Sequence, residues 1–306
     1  MTRITDLYPS RQGRREQILS RLDPVVYGPR SPASPYQLDG AQVTAYERNG
    51  FLVLPDRMSE LVPDLLAETA NLKNTLAQAE EIYSEPDSDE LRTLFSPHTF
   101  STLMDRVSRD PRILEPVRQL LGSEVYIMQS RINVKPGLAG KSFPWHSDFE
   151  TWHVEDGMPR MRAVTAWIML TENHPGNGPL YVLQGSHQRY VSCAGTTGAD
   201  NYKTSLKHQT LGVPRRETMK ELMAEYPLKG LYGSPGTLVF HECNLLHGSP
   251  DNISGDSRAV VMFVFNSVEN RPLAPFGGIK PRPHYLNSPD TRPVAPLTRP
   301  LAATAN

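Results

Sequence analysis

The stretch Phe143-Pro144-Trp145-His146-Ser147-Asp148-Phe149-Glu150-Thr151-Trp152 constrains the fold more than any other part of the chain. At its centre is His146-x-Asp148. On an extended strand, residues i and i+2 point to the same face, so one imidazole and one carboxylate reach one point in space. Firm metal binding needs a third ligand, and the best candidate is His247, in His247-Gly248-Ser249. Any fold that uses all three must therefore bring two separate strands together. Two His and one carboxylate on one side of a metal form the facial arrangement of non-haem iron sites, which leaves open positions for substrates. Arg258 follows His247 by eleven residues and offers a planar fork suited to a carboxylate. Zinc with three protein ligands also fits, although a zinc hydrolase needs a general base and has no particular use for the arginine. The other histidines (His98, His153, His174, His187, His208, His241, His284) read as surface or hydrogen-bonded structural residues. Glu150 and Asp156 read as outer or solvated acids rather than ligands.

Bulk properties narrow the class. A chain of 306 residues suits one large domain or two small ones with a full core. Lys and Arg total 32 against 33 Asp and Glu, so no charge excess steers the chain to nucleic acid or an anionic membrane. Two cysteines, Cys193 and Cys243, are too few for a disulfide scaffold and suit a reducing cytoplasm. The N-terminus lacks the apolar stretch of a signal peptide, and no run of about 18 apolar residues reads as a membrane span.

Along the chain, residues 1–36 read as a polar arm, with Arg11, Arg14 and Arg15 followed by prolines 25, 29, 32 and 35. Residues 37–122 form a mostly helical flank. Asp39 with Gln42 is a capping box, Asn49-Gly50 stops that helix, and Phe51–Leu54 is a strand. Ser59 is placed to cap a longer helix through Leu76. Glu85–Glu90 is an acidic loop. Asp110-Pro111 starts another helix, which Gly122 ends. Residues 123–270 change to strand character. In Val125–Val134 the even positions are mostly apolar, while Gln129, Arg131 and Asn133 share the other face. That face is either solvated or the polar lining of a β-barrel mouth. Further strands cover Arg162–Leu170, a short run ending at Leu183, Thr237–Phe240 and Arg258–Asn266. A long insertion, Val191–Leu228, carries helix near Arg216–Ala224. Residues 271–306 are a proline-rich tail.

The run from Phe143 to Asp148, continued by Phe149-Glu150-Thr151-Trp152-His153-x-Glu155-Asp156-Gly157-Met158-Pro159, resembles the signature of bacterial ectoine hydroxylases. These belong to the phytanoyl-CoA dioxygenase-like branch of the Fe(II)/2-oxoglutarate oxygenases. The likeness continues in Gln129-Ser130-Arg131-Ile132-Asn133, Asn177-Gly178-Pro179-Leu180, Gly185-Ser186-His187 and Asn244-x-x-His247-Gly248-Ser249. It also covers Asp6–Arg11 and Asn266–Asn270, and so most of the chain.

The resemblance implies a mainly β fold with flanking helices, a double-stranded β-helix or jelly roll. It implies Fe(II) on His146, Asp148 and His247. It implies 2-oxoglutarate anchored by Arg258, with Asn133, Arg131, Phe143 and Phe95 beside it, and O2 as the second co-substrate. For ectoine it implies Gln129, Thr151, Trp152, Phe263 and Arg282. Aromatic faces suit the delocalised amidinium of that solute, and an arginine suits its carboxylate. Expected products are 5-hydroxyectoine, succinate and CO2. A homodimer is an open option for the assembly. Three positions depart from the family pattern: His241 stands for a Phe, Val260 for an Asn, and Pro144 for an aromatic. An imidazole at 241 is placed to sit near the iron or the co-substrate. Two rival readings stay open: a sister oxygenase acting on another small zwitterion such as a cyclic amino acid, and a zinc hydrolase or non-catalytic metal-binding barrel.

Overall fold

A computed structural model describes residues 5–13, 15–86 and 88–303. Its strands are β1 Gln17–Ser20, β2 Phe51–Leu54, β3 Ile82–Ser84, β4 Leu91–Phe95, β5 Val125–Lys135, β6 Phe143–His146, β7 Ala163–Met169, β8 Leu180–Leu183, β9 Arg189–Ser192, β10 Leu228–Leu231, β11 Leu238–Glu242, β12 His247–Ser249 and β13 Arg258–Ser267. A large antiparallel sheet runs β2-β11-β7-β13-β5-β4-β3, and a small one runs β10-β8-β12-β6. The two sheets stand face to face as a jelly roll without hydrogen-bonded closure into a barrel. β1 of the N-terminal arm pairs with β9.

The outer face of the large sheet is covered by helices Gly40–Asn49, Val62–Thr75, Thr102–Ser108 and Pro111–Leu121. Val43, Leu65, Val107, Val117 and Leu120 pack there against Ile132, Val261, Phe263 and Phe265. The inner face, with Trp167, Val239 and Val260, meets Val182 and Leu231 of the small sheet. The flank thus supplies β2, β3 and β4 as well as helices.

Local chemistry explains most boundaries. Asp39 Oδ1 accepts from Gln42 N–H at 2.8 Å, Gln42 Oε1 accepts from Asp39 N–H at 3.0 Å, and Gly50 ends the helix at φ 80°. Asp110 accepts from Arg112 N–H, Pro111 opens the helix, and Gly122 closes it in the left-handed region. Ser59 does not cap the next helix. A 3₁₀ turn, Ser59–Leu61, leads into it and the capping position is Leu61, while Ser59 Oγ donates to Pro235 O. Pro63 in the first turn has no N–H, so there is one donor fewer to satisfy. Flanking the acidic loop, β3 and β4 form a hairpin that was not evident in the residue pattern. Asp87 and Arg14 lie outside the described residues.

β5 does not keep one phase along its length. Opposite it, Val264 pairs with Gln129 but Phe265 pairs with Ile127, so Met128 is an unpaired extra residue. A bulge of this kind re-phases the side chains. Val125 and Ile127 therefore join the helix-facing core together with Ile132, whereas Tyr126 and Met128 face the other way.

Candidate metal centre and active site

β6 and β12 are hydrogen-bonded neighbours, and His146 is the register partner of His247. The two rings are tilted with centroids 4.2 Å apart. Asp148 is not on the strand. β6 ends at His146, and Ser147 caps a short helix, Asp148–Thr151, by accepting from Glu150 N–H. The carboxylate reaches the imidazoles from the first residue of that helix. Asp148 Oδ1 lies 3.6 Å from His146 Nε2 and 4.0 Å from His247 Nε2. Ligand atoms of the three residues all fall within 4.8 Å of one another, and all three residues are buried.

Both imidazoles are set for metal binding. His146 Nδ1–H donates to Pro144 O at 2.9 Å and His247 Nδ1–H to Leu245 O at 2.8 Å. With Nδ1 protonated, each Nε2 lone pair is free toward Asp148. Burial, with His146 beside it, pushes His247 down to about 3, so it is a neutral ligand at ordinary pH. Burial alone would raise Asp148, but His146, His241 and His247 with Arg131 hold it well below the usual carboxylate range. Among the described residues its Oδ2 has no hydrogen-bond partner.

A cavity opens over His146 and His247 between the two sheets. Its wall includes Phe95, Arg131, Asn133, Lys135, Phe143 and Arg258. Arg258 begins β13 opposite Lys135 of β5. Its guanidinium donates from one terminal nitrogen to Gly178 O at 3.0 Å, and its Nε is buried without a partner. Among the described residues, no carboxylate pairs with Arg258 or with Arg131, whose Nε meets only Met262 Sδ. Burial and the Arg131 charge push Arg258 down to about 10. Burial, then Arg258 and Arg92, push Lys135 down to about 6. Arg92, also on the wall, is matched by Glu85 at 2.7 Å. Buried cations without counter-ions are costly, and this end of the cavity is built for an anionic ligand.

The residues expected at the site divide into three groups. His146, His247, Arg258, Asn133, Arg131, Phe143 and Phe95 line the cavity, and Asp148 joins the two histidines beside it. Gln129 continues the β5 face beyond it. Its amide donates to Leu286 O, and its Oε1 is buried without a partner. Thr151, Trp152 and Arg282 are not on the cavity wall. Thr151 Oγ1 accepts from Arg11 at 3.0 Å, and Trp152 is buried with Tyr8, Met128 and Phe149. Arg282 grips Asp156 with two nitrogens, its Nε at 2.9 Å from Oδ1. Phe263 faces the helices on the far side of the large sheet and is fully buried there. The expectation that it contacts a ligand in the cavity is thereby corrected: β13 alternates, and Arg258, Val260 and Met262 take the inner face.

Other residues were missed. Lys135 lies one step further along the face of Gln129, Arg131 and Asn133, so alternation alone could have found it. The arm residue Arg11 is buried between Glu150 and Glu155, with its Nε 2.9 Å from Glu150 Oε1. Nothing local in the sequence pairs them. Glu150 and Asp156 are buried ion-pair partners of Arg11 and Arg282 rather than solvated acids. His241 is buried, with its Nε2 3.5 Å from Asp148 Oδ2.

The family model for phytanoyl-CoA dioxygenase matches residues 46–260. The chain belongs to the phytanoyl-CoA dioxygenase family. Within it, the chain is 46% identical over 299 residues to the ectoine dioxygenase of Bordetella bronchiseptica, covering 97% of this chain and 96% of that protein. It is 42% identical to the ectoine dioxygenase of Streptomyces coelicolor, covering 96% and 98%. Among solved structures, it resembles EctD from S. alaskensis with bound Fe at TM-score 0.85 and 41% identity, covering 96% and 99%. A structure of that protein with 2-oxoglutarate and 5-hydroxyectoine matches at TM-score 0.84 and 43% identity, covering 95% and 97%. The jelly-roll architecture and the dioxygenase class expected from the sequence both hold. The donor set fits a ferrous ion of this family: two imidazoles and one carboxylate on one side, with the cavity on the other. Arg258, which has no carboxylate partner among the described residues, fits the distal carboxylate of 2-oxoglutarate.

Proposed function

We propose that the chain hydroxylates ectoine at a ring carbon, using Fe(II), 2-oxoglutarate and O2, to give 5-hydroxyectoine, succinate and CO2. The observation that carries this reading is the register pair His146–His247 with Asp148, beside a cavity whose wall holds Arg258, a buried guanidinium with no carboxylate partner among the described residues. Full-length identity to ectoine dioxygenases supports the choice of substrate.

Bound Fe(II) would supply O2 activation, coupling decarboxylation of 2-oxoglutarate to a C–H hydroxylation, with one oxygen atom entering succinate and the other the product. The chain's own residues bind and orient. His146, Asp148 and His247 would occupy one face of the ion and leave its other face to the cavity. Arg258 and Lys135 receive the distal carboxylate, and Phe95 and Phe143 shut water away from it. Gln129, with its free Oε1, is our candidate acceptor for an N–H of the cyclic amidinium. Thr151 and Trp152 follow Asp148 in the segment Asp148–Asp156, Arg282 grips Asp156 at its end, and we assign all three to the substrate side. The protein's two free cysteines are both buried and fit a reducing compartment, and we assign the reaction to the cytoplasm.

Anaerobically purified, Fe(II)-loaded protein incubated with ectoine, 2-oxoglutarate and air should release succinate in step with a product one oxygen atom heavier, read by mass spectrometry. Turnover of proline or another zwitterion in place of ectoine would favour the sister oxygenase. Tightly held zinc with no consumption of O2 or 2-oxoglutarate would sink the oxygenase reading.

A further inference from the structure

We propose that His241 is a positioning residue for Asp148: it donates a hydrogen bond to Oδ2 and so holds the carboxylate as a one-oxygen ligand presenting Oδ1. The inference rests on the iron reading of the His146–Asp148–His247 site. It starts from the indole of Trp167. An indole N–H can only donate, and Trp167 Nε1 lies 3.1 Å from His241 Nδ1. His241 Nδ1 is therefore the acceptor, and in the neutral ring the proton sits on Nε2.

That N–H has one place to go. Among the described residues His241 Nε2 is buried with no other hydrogen-bond partner, and the same is true of Asp148 Oδ2. The two atoms face each other at 3.5 Å, a little beyond a good hydrogen bond and closed by a small side-chain rotation. The remaining carboxylate oxygen, Oδ1, is the one directed at His146 Nε2 and His247 Nε2. The division of labour is therefore built in: Oδ1 toward the ligand trio, Oδ2 toward the donor. The arrangement comes from sheet register. On β11 and β7, Val239 pairs with Trp167 and His241 with Thr165, so Trp167 and His241 are diagonal neighbours on the inner face. A carboxylate tied back by its second oxygen takes one coordination position rather than two. More positions then stay open for a chelating co-substrate and for O2.

The test compares wild type with His241→Phe, which keeps an aromatic ring without a donor, and His241→Gln, which restores an N–H. Each is titrated anaerobically with Fe(II), and the charge-transfer band of the Fe(II)–2-oxoglutarate complex is recorded. Imidazole ligands are counted by pulsed EPR on the Cu(II)-loaded protein. Phe should weaken Fe(II) binding by about 10-fold or more, in the range typical of lost outer partners, and shift the band. Gln should restore most of both, with melting temperature similar in all three. Two coordinated imidazoles are expected. The inference is overturned by Fe(II) affinity and band unchanged in His241→Phe, by Gln as impaired as Phe, or by three coordinated imidazoles, which would make His241 a ligand. Wild type that binds no Fe(II) would overturn the iron reading itself, an outcome distinct from the other three.

Discussion

A ring proton decides what each histidine here can do. His146 and His247 place theirs on Nδ1, against backbone carbonyls two residues earlier, and so offer Nε2 as a ligand. His153 is bonded at both nitrogens, to Met158 O and Asp6, and offers nothing. Asp148→Ala removes the anion between the two ligand imidazoles. It should abolish Fe(II) binding and ectoine turnover together, and turnover retained in an anaerobically reloaded variant would refute the assignment. Lys135 gives a pH prediction. Held near 6 by burial and by two guanidiniums, it is mostly neutral at pH 7.5. A dianion seated against it raises its affinity for a proton. Binding of 2-oxoglutarate should therefore take up about one proton at that pH and weaken as pH rises further. Titration calorimetry in buffers of different ionisation enthalpy reads the uptake directly, and Lys135→Met should abolish it.

At the scale of elements, three joints make the site. The first is the β6–β12 pairing, which puts two distant histidines in register. The second is the Ser147 cap, which turns the chain so that Asp148 opens a helix instead of prolonging a strand. The third is Arg11, which ties the arm to this helix and to the π-helical turn Trp152–Asp156 that follows it. Arg11 sits at φ 53°, a conformation rare for residues other than glycine, and its carboxylate partners hold it there. Arg11→Ala leaves Glu150 buried without its cation and Glu155 with Arg282 alone, at 4.0 Å. It should cost on the order of 3–5 kcal/mol, measurable by denaturant unfolding, and should lower turnover at 25 °C through the displaced helix. Phe263 tests the opposite case. Because it packs on the helices, Phe263→Leu should lower stability by on the order of 1–3 kcal/mol while leaving KM for ectoine unchanged. A raised KM at unchanged stability would return it to the substrate side.

At the scale of the molecule, one large sheet serves two cores, packing helices on one face and lining the cavity with the other. The tail adds no regular element among the described residues after Ser267. It is nonetheless stitched down, with Val294 N–H bonded to Val125 O, Leu297 N–H to Arg109 O, and Leu301 buried. Much of this was legible in the residues. Caps at Asp39, Asp110, Gly50 and Gly122, the strands near 125, 163 and 258, and the identity of the metal-type ligands all depend on chemistry within a few positions. Chain-local physics determines such features. What tertiary structure alone decided is which groups meet. A one-residue bulge at Met128 re-phases β5, register sets Trp167 beside His241, and the fold carries Arg11 to Glu150 across 139 residues. These contacts have no periodic trace in the sequence, because they depend on how sheets and arm pack in space rather than on any neighbour along the chain.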